Sequence, residues 1–389
     1  VRGGVAQPTT TALPRILGVV DDELPGPTVV VIGGVHGNEP AGVVALERVL
    51  KTLERTRPLV AGKLVGVLGN RAALAAGRRF NTRDLNRDWT EAGCAELKGA
   101  THLVDEDAEQ RALLDVFEPL IDQADRPVVF IDLHSSSGRG APFCCMADVL
   151  RNRPIALSLP LPLVLGLEEV IDGSMLGYLC DRGHVGIAFE GGQHDDPETI
   201  DRLESIVWLS LVASGLLDRS QVPDIEDHRA RLRAATTDLP RVLEIRHRHV
   251  IGPGEDFRME PGFTNFGPVR RGDLLAHDDR GELRASEHGL IMLPRYQGEG
   301  DDGYFLARPV SQLWLKVSEV LRRARLDRFL PRLVGARRLA EAVDHFLVDG
   351  VLPPRWVTNV FHLFGYRKMR SNGQGQVFSR RRPDASSRR

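Results

Sequence analysis

The residues best suited to metal chemistry follow the first apolar run of the sequence. The stretch TVVVIGGVHGNEPAGVVALERVL, residues 28–50, holds His36 and Glu39 three positions apart. They lie where a predicted buried strand gives way to a helix that begins after Pro40. Imidazole and carboxylate groups bind zinc, and a catalytic zinc ion keeps three protein ligands and one open position. We therefore interpret His36 and Glu39 as two of three ligands to a catalytic zinc ion.

A third candidate ligand, His134, ends the predicted strand PVVFIDLH, residues 127–134. Asp132 lies two positions earlier and points to the same side of that strand. It could orient a ligating imidazole, as carboxylates often do around zinc. Taken singly, His36 could cap its helix and His134 could be a hydrogen-bonded core histidine. An HxxE pair together with a distant DLH, both at strand ends, favours the metal site.

A candidate general base ends a later apolar strand. Glu190 closes VGIAFE, residues 185–190, and two glycines follow it. A carboxylate there is costly to bury unless it is paired or functional. Hydrolysis by a metal-activated water needs a group that takes a proton and later gives it to the leaving amine. The alternative is an exposed glutamate bonded to the neighbouring turn; we predict the catalytic role.

An arginine-rich segment, GRRFNTRDLNRDW at 77–89, offers candidate substrate contacts and contains no lysine. Arginine binds a carboxylate through two parallel hydrogen bonds, which lysine cannot do. Arg87 with Asn86 could therefore hold a substrate carboxylate. Arg79 could polarise the scissile carbonyl and stabilise its oxyanion. Considered alone, the run would be a solvated basic loop.

The pattern up to about residue 220 predicts how these residues meet. Continuous apolar strands alternate with amphipathic helices, which predicts an α/β fold with a mainly parallel or mixed sheet and helices on both faces. HGNE, GNRAAL, DLHSSS and FEGG each fall at the end of a predicted strand. The carboxyl ends of parallel strands form one crevice in which ligands bind. The candidate residues are therefore predicted to line one site.

The rest of the chain predicts two further units. Short strands separated by turn signals indicate a small β-rich domain. Later apolar runs, including VGARRLAEAVDHFLVDGVL, predict helices, and we expect the Arg-rich tail from Tyr366 onward to be disordered. The predicted divisions are a zinc hydrolase domain at 1–222, the β-rich domain at 223–312 with a polar linker at 218–240, and a helical extension with its tail at 313–389.

Composition limits the possible partners. The net charge of −2 argues against a nucleic-acid-binding protein. No apolar run reaches the ~18 residues of a membrane span, and the first fifteen residues lack the apolar core of a signal peptide. The four cysteines form no CxxC pair, which suits reduced thiols and a cytoplasmic location. We expect no membrane and no nucleic-acid partner, and a homo-oligomer remains open.

Together these motifs resemble the succinylglutamate desuccinylase/aspartoacylase family, zinc amidohydrolases related to the zinc carboxypeptidases. The matching pieces, in order, are GGVHGNE, the GN of LGN, RRFNTRDLNR, IDLHSSS and VGIAFEGG. The resemblance implies one zinc ion per chain and a small carboxylate-bearing substrate. The implied roles are zinc ligation by His36, Glu39 and His134, acid–base catalysis by Glu190, carbonyl contact by Arg79, and substrate-carboxylate binding by Asn86 with Arg87.

The β-rich segment is also similar to the family's C-terminal domain. Tyr304 lies roughly where aspartoacylases carry a substrate-contacting tyrosine. Aspartoacylases place a further substrate-binding arginine shortly before the strand of the catalytic glutamate. This chain has Tyr178 at that point, and the nearest arginine is Arg182. The lack of an arginine at this position argues against assigning the dicarboxylate specificity of aspartoacylases to this chain.

The leading hypothesis is zinc-dependent hydrolysis of a linear, non-peptide amide bond in an N-acyl amino acid or a related small amide. One alternative is a carboxypeptidase-like metallopeptidase that uses the same ligands. The spacing from Glu39 to His134 and from His134 to Glu190 looks closer to the deacylases. A second alternative is a non-catalytic binding protein on the same fold. That reading predicts loss of a ligand or of the base, yet all of them are present.

Overall fold

The structure is a computed structural model that describes residues 14–334, 336–339, 344–349, 355–371 and 375–381. Most of the N-terminal segment that we assessed for a signal peptide lies outside the described residues. The end of the Arg-rich tail, after residue 381, also lies outside them.

The first part of the chain alternates strands and helices, as the apolar pattern predicts. Its strands are β1 Ile16–Asp21, β2 Leu24–Gly33, β3 Ala61–Leu68, β4 Val129–Ser136, β5 Phe143–Met146, β6 Leu163–Leu165 and β7 Val185–Gln193. Its helices are α1 Ala41–Thr56, α2 Arg71–Ala76, α3 Glu91–Gly99, α4 Asp105–Asp122, α5 Arg153–Ser158, α6 Leu167–Val170, α7 Met175–Asp181, α8 Pro197–Ala213 and α9 Ile225–Ala235.

The central sheet is mixed, and its middle is parallel. Strands β3, β2, β4 and β7 lie side by side and run parallel, whereas β1 and β5 pair antiparallel with β3 and β7. Strand β4 is buried along its whole length, which explains its continuous apolar sequence. The parallel pairing brings the carboxyl ends of β2, β4 and β7 to one edge, where the candidate site residues follow.

Helices cover both faces of this sheet. On one face, Leu46 and Val49 of α1 pack with Leu203 and Ile206 of α8 in a shared apolar core. On the other face, α4 and α7 contribute to a second core that includes Phe117. Burial of these side chains removes apolar surface from water on both sides of the sheet. The predicted fold class, a mixed α/β sheet with helices on both faces, is confirmed.

The segment predicted as a linker at 218–240 contains helix α9. Leu232 of α9 is fully buried in the core that α8 shares, and Ser205 of α8 hydrogen-bonds His228 of α9 at 2.9 Å. The segment is polar because most side chains of α9 face solvent and only a narrow apolar side of the helix packs on the core. The linker prediction is therefore wrong for this helix.

The β-rich unit extends the central sheet. Its strands are β8 Val242–Val250, β9 Arg258–Met259, β10 Gly267–Val269, β11 Leu274–Asp278, β12 Gly281–Arg284, β13 Gly289–Met292 and β14 Asp302–Pro309. Strands β8, β14, β13 and β10 follow β6 in the same eleven-stranded sheet, and β12, β11 and β9 form a separate three-stranded sheet.

The C-terminal extension contains helices, as predicted, together with a small four-stranded sheet that was not predicted. It contains α10 Gln312–Arg323, α11 Leu330–Val334, β15 Arg337–Arg338, β16 His345–Asp349, α12 Arg355–Leu363, β17 Lys368–Ser371 and β18 Gly375–Ser379. The prediction of a helix over VGARRLAEAVDHFLVDGVL is wrong where β15 and β16 form. The expectation of disorder from Tyr366 onward is wrong for residues 366–371 and 375–381. Tyr366 and Phe378 are buried there, because β16, β17 and β18 pair beneath α12.

Among the described residues, no helix combines the length and the apolar character that crossing a bilayer requires.

Candidate active site

The turn after β2 brings the first two candidate ligands to the sheet edge. Gly34 has a φ of 73°, which favours glycine, and a Cβ on Gly37 would lie 2.0 Å from the carbonyl carbon of Ala73. The glycines of GGVHGNE therefore let the turn pass close to α2. The Gly37 N–H donates to the Arg79 carbonyl at 3.1 Å, which ties this turn to the arginine-rich loop.

The two histidines and the glutamate meet as the sequence predicts. Nδ1 of His36 lies 2.9 Å from one carboxylate oxygen of Glu39, and Nδ1 of His134 lies 3.0 Å from the other. The Ser135 N–H also donates to Glu39 at 3.0 Å. All three side chains are buried, with the residues 2–6% exposed. One nitrogen of each ring and one glutamate oxygen lie within 4.8 Å of one another.

A carboxylate lies beside the far nitrogen of each imidazole. Nε2 of His134 lies 2.7 Å from Asp132, and a proton donated there leaves the Nδ1 lone pair free. Nε2 of His36 lies 3.1 Å from Asp84 and 2.9 Å from Nη2 of Arg79, which can only donate. Asp132 thus lies where the sequence predicts. Asp84 was missed, although it lies inside the RRFNTRDLNR motif.

The charges of this cluster depend on one another. Burial alone would raise the pKa of Glu39, but His36 and His134 hold it well below its usual value. Burial alone would lower the pKa of His134, but Asp132 and Glu39 raise it well above its usual value. The buried carboxylate of Glu39 is therefore stabilised by positive charge beside it, which a bound divalent cation would also supply.

These residues fit a bound zinc ion. The donor set of two imidazoles and one carboxylate is that of a catalytic zinc site. Both Nδ1 atoms point at one carboxylate, and Asp132 engages Nε2 of His134, which favours the tautomer with a free Nδ1 lone pair on that ring.

Glu190 lies beside this cluster without a partner for one of its oxygens. In the pairing of β4 with β7, Glu190 is directly opposite His134. Its Oε2 is shielded from solvent and has no hydrogen-bond partner among the described residues. Burial raises the pKa of Glu190 to about 7, with Glu39 adding to the rise and His134 opposing it. A group with such a pKa can accept and release a proton near neutral pH.

Arg79 lies next to the cluster. Its guanidinium donates to Asp84 at 3.0 Å and lies 3.4 Å from Glu39, so its charge is directed at the candidate ligands. Burial alone would lower the pKa of Arg79, but Asp84 and Glu39 raise it. Arg79 is therefore a fixed cation at the wall of the cavity.

Arg87 and Asn86, the residues predicted to bind a substrate carboxylate, already have hydrogen-bond partners within the protein. Arg87 donates to Asp302 at 2.9 Å, and Arg248 donates to the other oxygen of Asp302 at 2.5 Å. Asn86 accepts a hydrogen bond from the Met175 N–H at 2.8 Å. Asp302 was missed because nothing near it in the sequence indicates that β14 begins beside the arginine-rich loop.

A loop of the β-rich unit covers the site. Residues 293–301, between β13 and β14, reach the turn after β2 and the loop after β7. Gln297 accepts hydrogen bonds from Asn38 at 2.9 Å and pairs with His194 at 3.2 Å. Glu299 accepts from the Arg79 N–H at 2.9 Å. The cavity between this loop and the cluster has a volume of about 160 Å³.

The structure brings most of the predicted site residues to this cavity. Its lining includes His36, Glu39, Arg79, Asn86, Arg87, His134 and Glu190. Tyr304 is not brought there. Its ring is buried in the core of the β-rich unit and stacks on His249, with 5.3 Å between ring centroids. We predicted Tyr304 from its position in GDDGYF. That position does not show which face of β14 the side chain occupies.

The fold and the site define an α/β protein with a potential metal centre at the carboxyl ends of its parallel strands. Comparison with known proteins agrees with the motifs. Residues 25–165 match the succinylglutamate desuccinylase/aspartoacylase catalytic domain. The resemblance to that family is confirmed.

Relatives with curated descriptions match parts of the chain. This chain is 31% identical over 173 residues to a probable aspartoacylase from Prochlorococcus marinus (strain MIT 9313). The aligned part covers 43% of this chain and 54% of that protein. Over 60 residues it is 47% identical to a succinylglutamate desuccinylase from Serratia proteamaculans (strain 568), which covers 15% of this chain and 18% of that one. The chain thus spans about half the length, or less, of the curated relatives it matches.

Solved structures show the same fold at low identity. A succinylglutamate desuccinylase/aspartoacylase from Rhodobacter sphaeroides is 20% identical with a TM-score of 0.54, covering 76% of this chain and 88% of that one. Murine aminoacylase 3 is 18% identical with a TM-score of 0.52, covering 74% and 97%. At such identities these likenesses establish the fold alone.

Proposed function

We propose that this protein hydrolyses the amide bond of an N-acyl amino acid or a related small carboxylate-bearing amide, with zinc held by His36, Glu39 and His134. The observation that carries the proposal is the unpartnered Oε2 of Glu190 beside the His–Glu–His cluster. A shielded carboxylate oxygen without a partner is costly, which favours a functional role for Glu190. The family match of residues 25–165 supports the same chemistry.

The mechanism assigns a separate task to each side chain. A bound zinc ion would supply Lewis acidity toward water and toward the substrate carbonyl. Glu190 accepts a proton from the attacking water and later donates it to the leaving amine. Arg79 places a fixed positive charge where the carbonyl oxygen becomes negative. Asp84 and Asp132 keep the imidazoles of His36 and His134 in the ligating orientation.

The cavity favours a small amide over a peptide. Its volume of about 160 Å³ lies below the usual range of ligand pockets, so it suits a substrate of few heavy atoms. The 293–301 loop crosses its mouth through Gln297 and Glu299. A peptide substrate would need an open groove at this position. The metallopeptidase alternative is therefore less favoured.

Arg87 is proposed to bind the substrate carboxylate, which would compete with Asp302 for the guanidinium. Arg87→Lys should raise KM for carboxylate substrates by about tenfold and change kcat less, because one charge-assisted hydrogen bond is worth about 1.5–3 kcal/mol. The matched control is Arg83→Lys, since Arg83 pairs with Asp107 and does not line the cavity. Steady-state kinetics of both variants tests this. An unchanged KM in Arg87→Lys would show that Arg87 does not bind the substrate carboxylate.

The proposed activity can be tested by amine release. Zinc-loaded protein would be incubated with N-acetyl and N-succinyl amino acids and, separately, with dipeptides that have a free amino terminus. We expect amine release from at least one N-acyl amino acid, with loss of that release on zinc chelation and recovery on zinc addition. Cleavage of the dipeptides alone would contradict the deacylase assignment, and failure with every compound would favour the non-catalytic binding protein.

A further inference from the structure

A second group of potential metal ligands lies in the β-rich unit. One nitrogen of His249 and one carboxylate oxygen each of Glu255 and Asp278 lie within 4.8 Å of one another. His249 is on β8, Glu255 is in the loop after it, and Asp278 ends β11. This group shares no residue with the His36–Glu39–His134 cluster. We propose that His249, Glu255 and Asp278 form a second divalent-cation site.

The first supporting observation is the state of the His249 ring. Its Nε2 is shielded from solvent and has no hydrogen-bond partner among the described residues. A shielded polar atom without a partner is costly and calls for an explanation such as an ion.

The second observation is that the ring is held in place before any ion binds. His249 is stacked between Tyr304, at 5.3 Å between centroids, and Phe257, at 5.2 Å. A Cβ on Gly303 would lie 2.8 Å from both the His249 and the Phe257 rings, so a glycine is required at this contact. The same Tyr304 that is absent from the active-site cavity therefore fixes this imidazole.

The third observation is that backbone N–H groups hold both acids in place. Glu255 accepts from the Gly252 N–H at 2.6 Å, and Asp278 accepts from the Arg280 N–H at 2.8 Å.

The donor set indicates the class of ion. One imidazole nitrogen and two carboxylate oxygens suit a first-row divalent cation such as Zn²⁺ or Mn²⁺ more than Ca²⁺, which takes oxygen ligands alone. Around zinc, ligand atoms at about 2.0–2.1 Å from the ion are roughly 3.3 Å apart. The acids must therefore close on the fixed imidazole. An ion bound in this way would join the loop after β8 to the end of β11.

The test is the zinc stoichiometry and affinity of the full chain. Metal-free protein would be titrated with Zn²⁺ by calorimetry, and zinc retained after gel filtration would be counted by elemental mass spectrometry. We expect two equivalents in the wild type and one in His249→Ala and in Glu255→Gln, with affinity for the lost equivalent at least about tenfold weaker. His247→Ala, on the same strand but outside the group, should keep both. Circular dichroism would confirm that each variant is folded.

The outcomes separate this site from the proposed active site. His36→Ala should lose the other equivalent and keep the one that depends on His249. If the wild type binds one equivalent that only His249→Ala removes, the second site stands while the proposed active-site zinc fails. If zinc binding is unchanged in both His249→Ala and Glu255→Gln, the second site is refuted.

Discussion

Replacing Glu190 by glutamine is expected to lower kcat by about 10²–10⁴-fold, the usual contribution of a positioned general base. The substitution keeps the size of the side chain but removes its capacity to take a proton from water. Because Oε2 of Glu190 has no protein partner among the described residues, little else should change. The variant should keep its fold and its zinc. Single-turnover and steady-state rates of amine release would measure the loss.

A matched control is Glu198→Gln. Glu198 is exposed on α8 and pairs with Arg202 away from the cavity, so its loss should leave kcat nearly unchanged. The pH profile adds a second readout. Glu190 must be ionised to act as a base, so kcat/KM should fall as the pH drops through its pKa. A nearby zinc cation would place that pKa at or below the value of about 7 found without metal. A Glu190→Gln rate near that of the wild type would show that the mechanism is wrong.

Replacing Asp148 by asparagine is expected to destabilise the protein by about 3–5 kcal/mol, the cost of breaking a buried ionic network by removing one partner. Asp148 is fully buried and accepts hydrogen bonds from Arg153 at 2.8 Å, Arg322 at 2.7 Å and Arg367 at 3.1 Å. Burial alone would raise the pKa of Asp148, but the three guanidinium groups hold it well below its usual value. Asparagine would leave three buried cations without their shared anion.

The same network joins the C-terminal extension to the α/β domain. Arg322 is on α10 and Arg367 follows α12, whereas Asp148 and Arg153 belong to the first part of the chain. Limited proteolysis of Asp148→Asn should therefore cleave within the extension before the rest. The control is Asp201→Asn, which breaks an exposed pair with Arg48 and should cost less than about 1 kcal/mol. A urea midpoint for Asp148→Asn equal to that of the wild type would contradict this account.

The site residues could be predicted from the sequence where a continuous apolar run showed the position of a strand. The ends of β2, β4 and β7 are readable from continuous buried sequence, so the meeting of His36, His134 and Glu190 followed from the parallel sheet. Asp302 and the 293–301 loop were not predictable in the same way. Their position depends on how β8 and β14 extend the central sheet, which is a long-range pairing with no local signal.

In the C-terminal extension, the local sequence pattern predicted the wrong type of element. Residues 345–349 belong to an apolar stretch that we predicted as a helix, yet they pair with residues 375–379 of β18. Tertiary pairing outweighs local propensity there. The Arg-rich tail that contains the last arginines was expected to be disordered. Arg380 and Arg381 instead pair with Asp344 and Asp181.

The central claim, a metal ion on His36, Glu39 and His134, is tested most directly by the zinc content of the wild type and of His36→Ala. Elemental mass spectrometry of both proteins, prepared side by side, should show a difference of one zinc ion per chain. His102→Ala, which removes an exposed histidine, should match the wild type. Equal zinc contents in the wild type and in His36→Ala, even after zinc is added, would contradict the metal site and the hydrolase assignment with it.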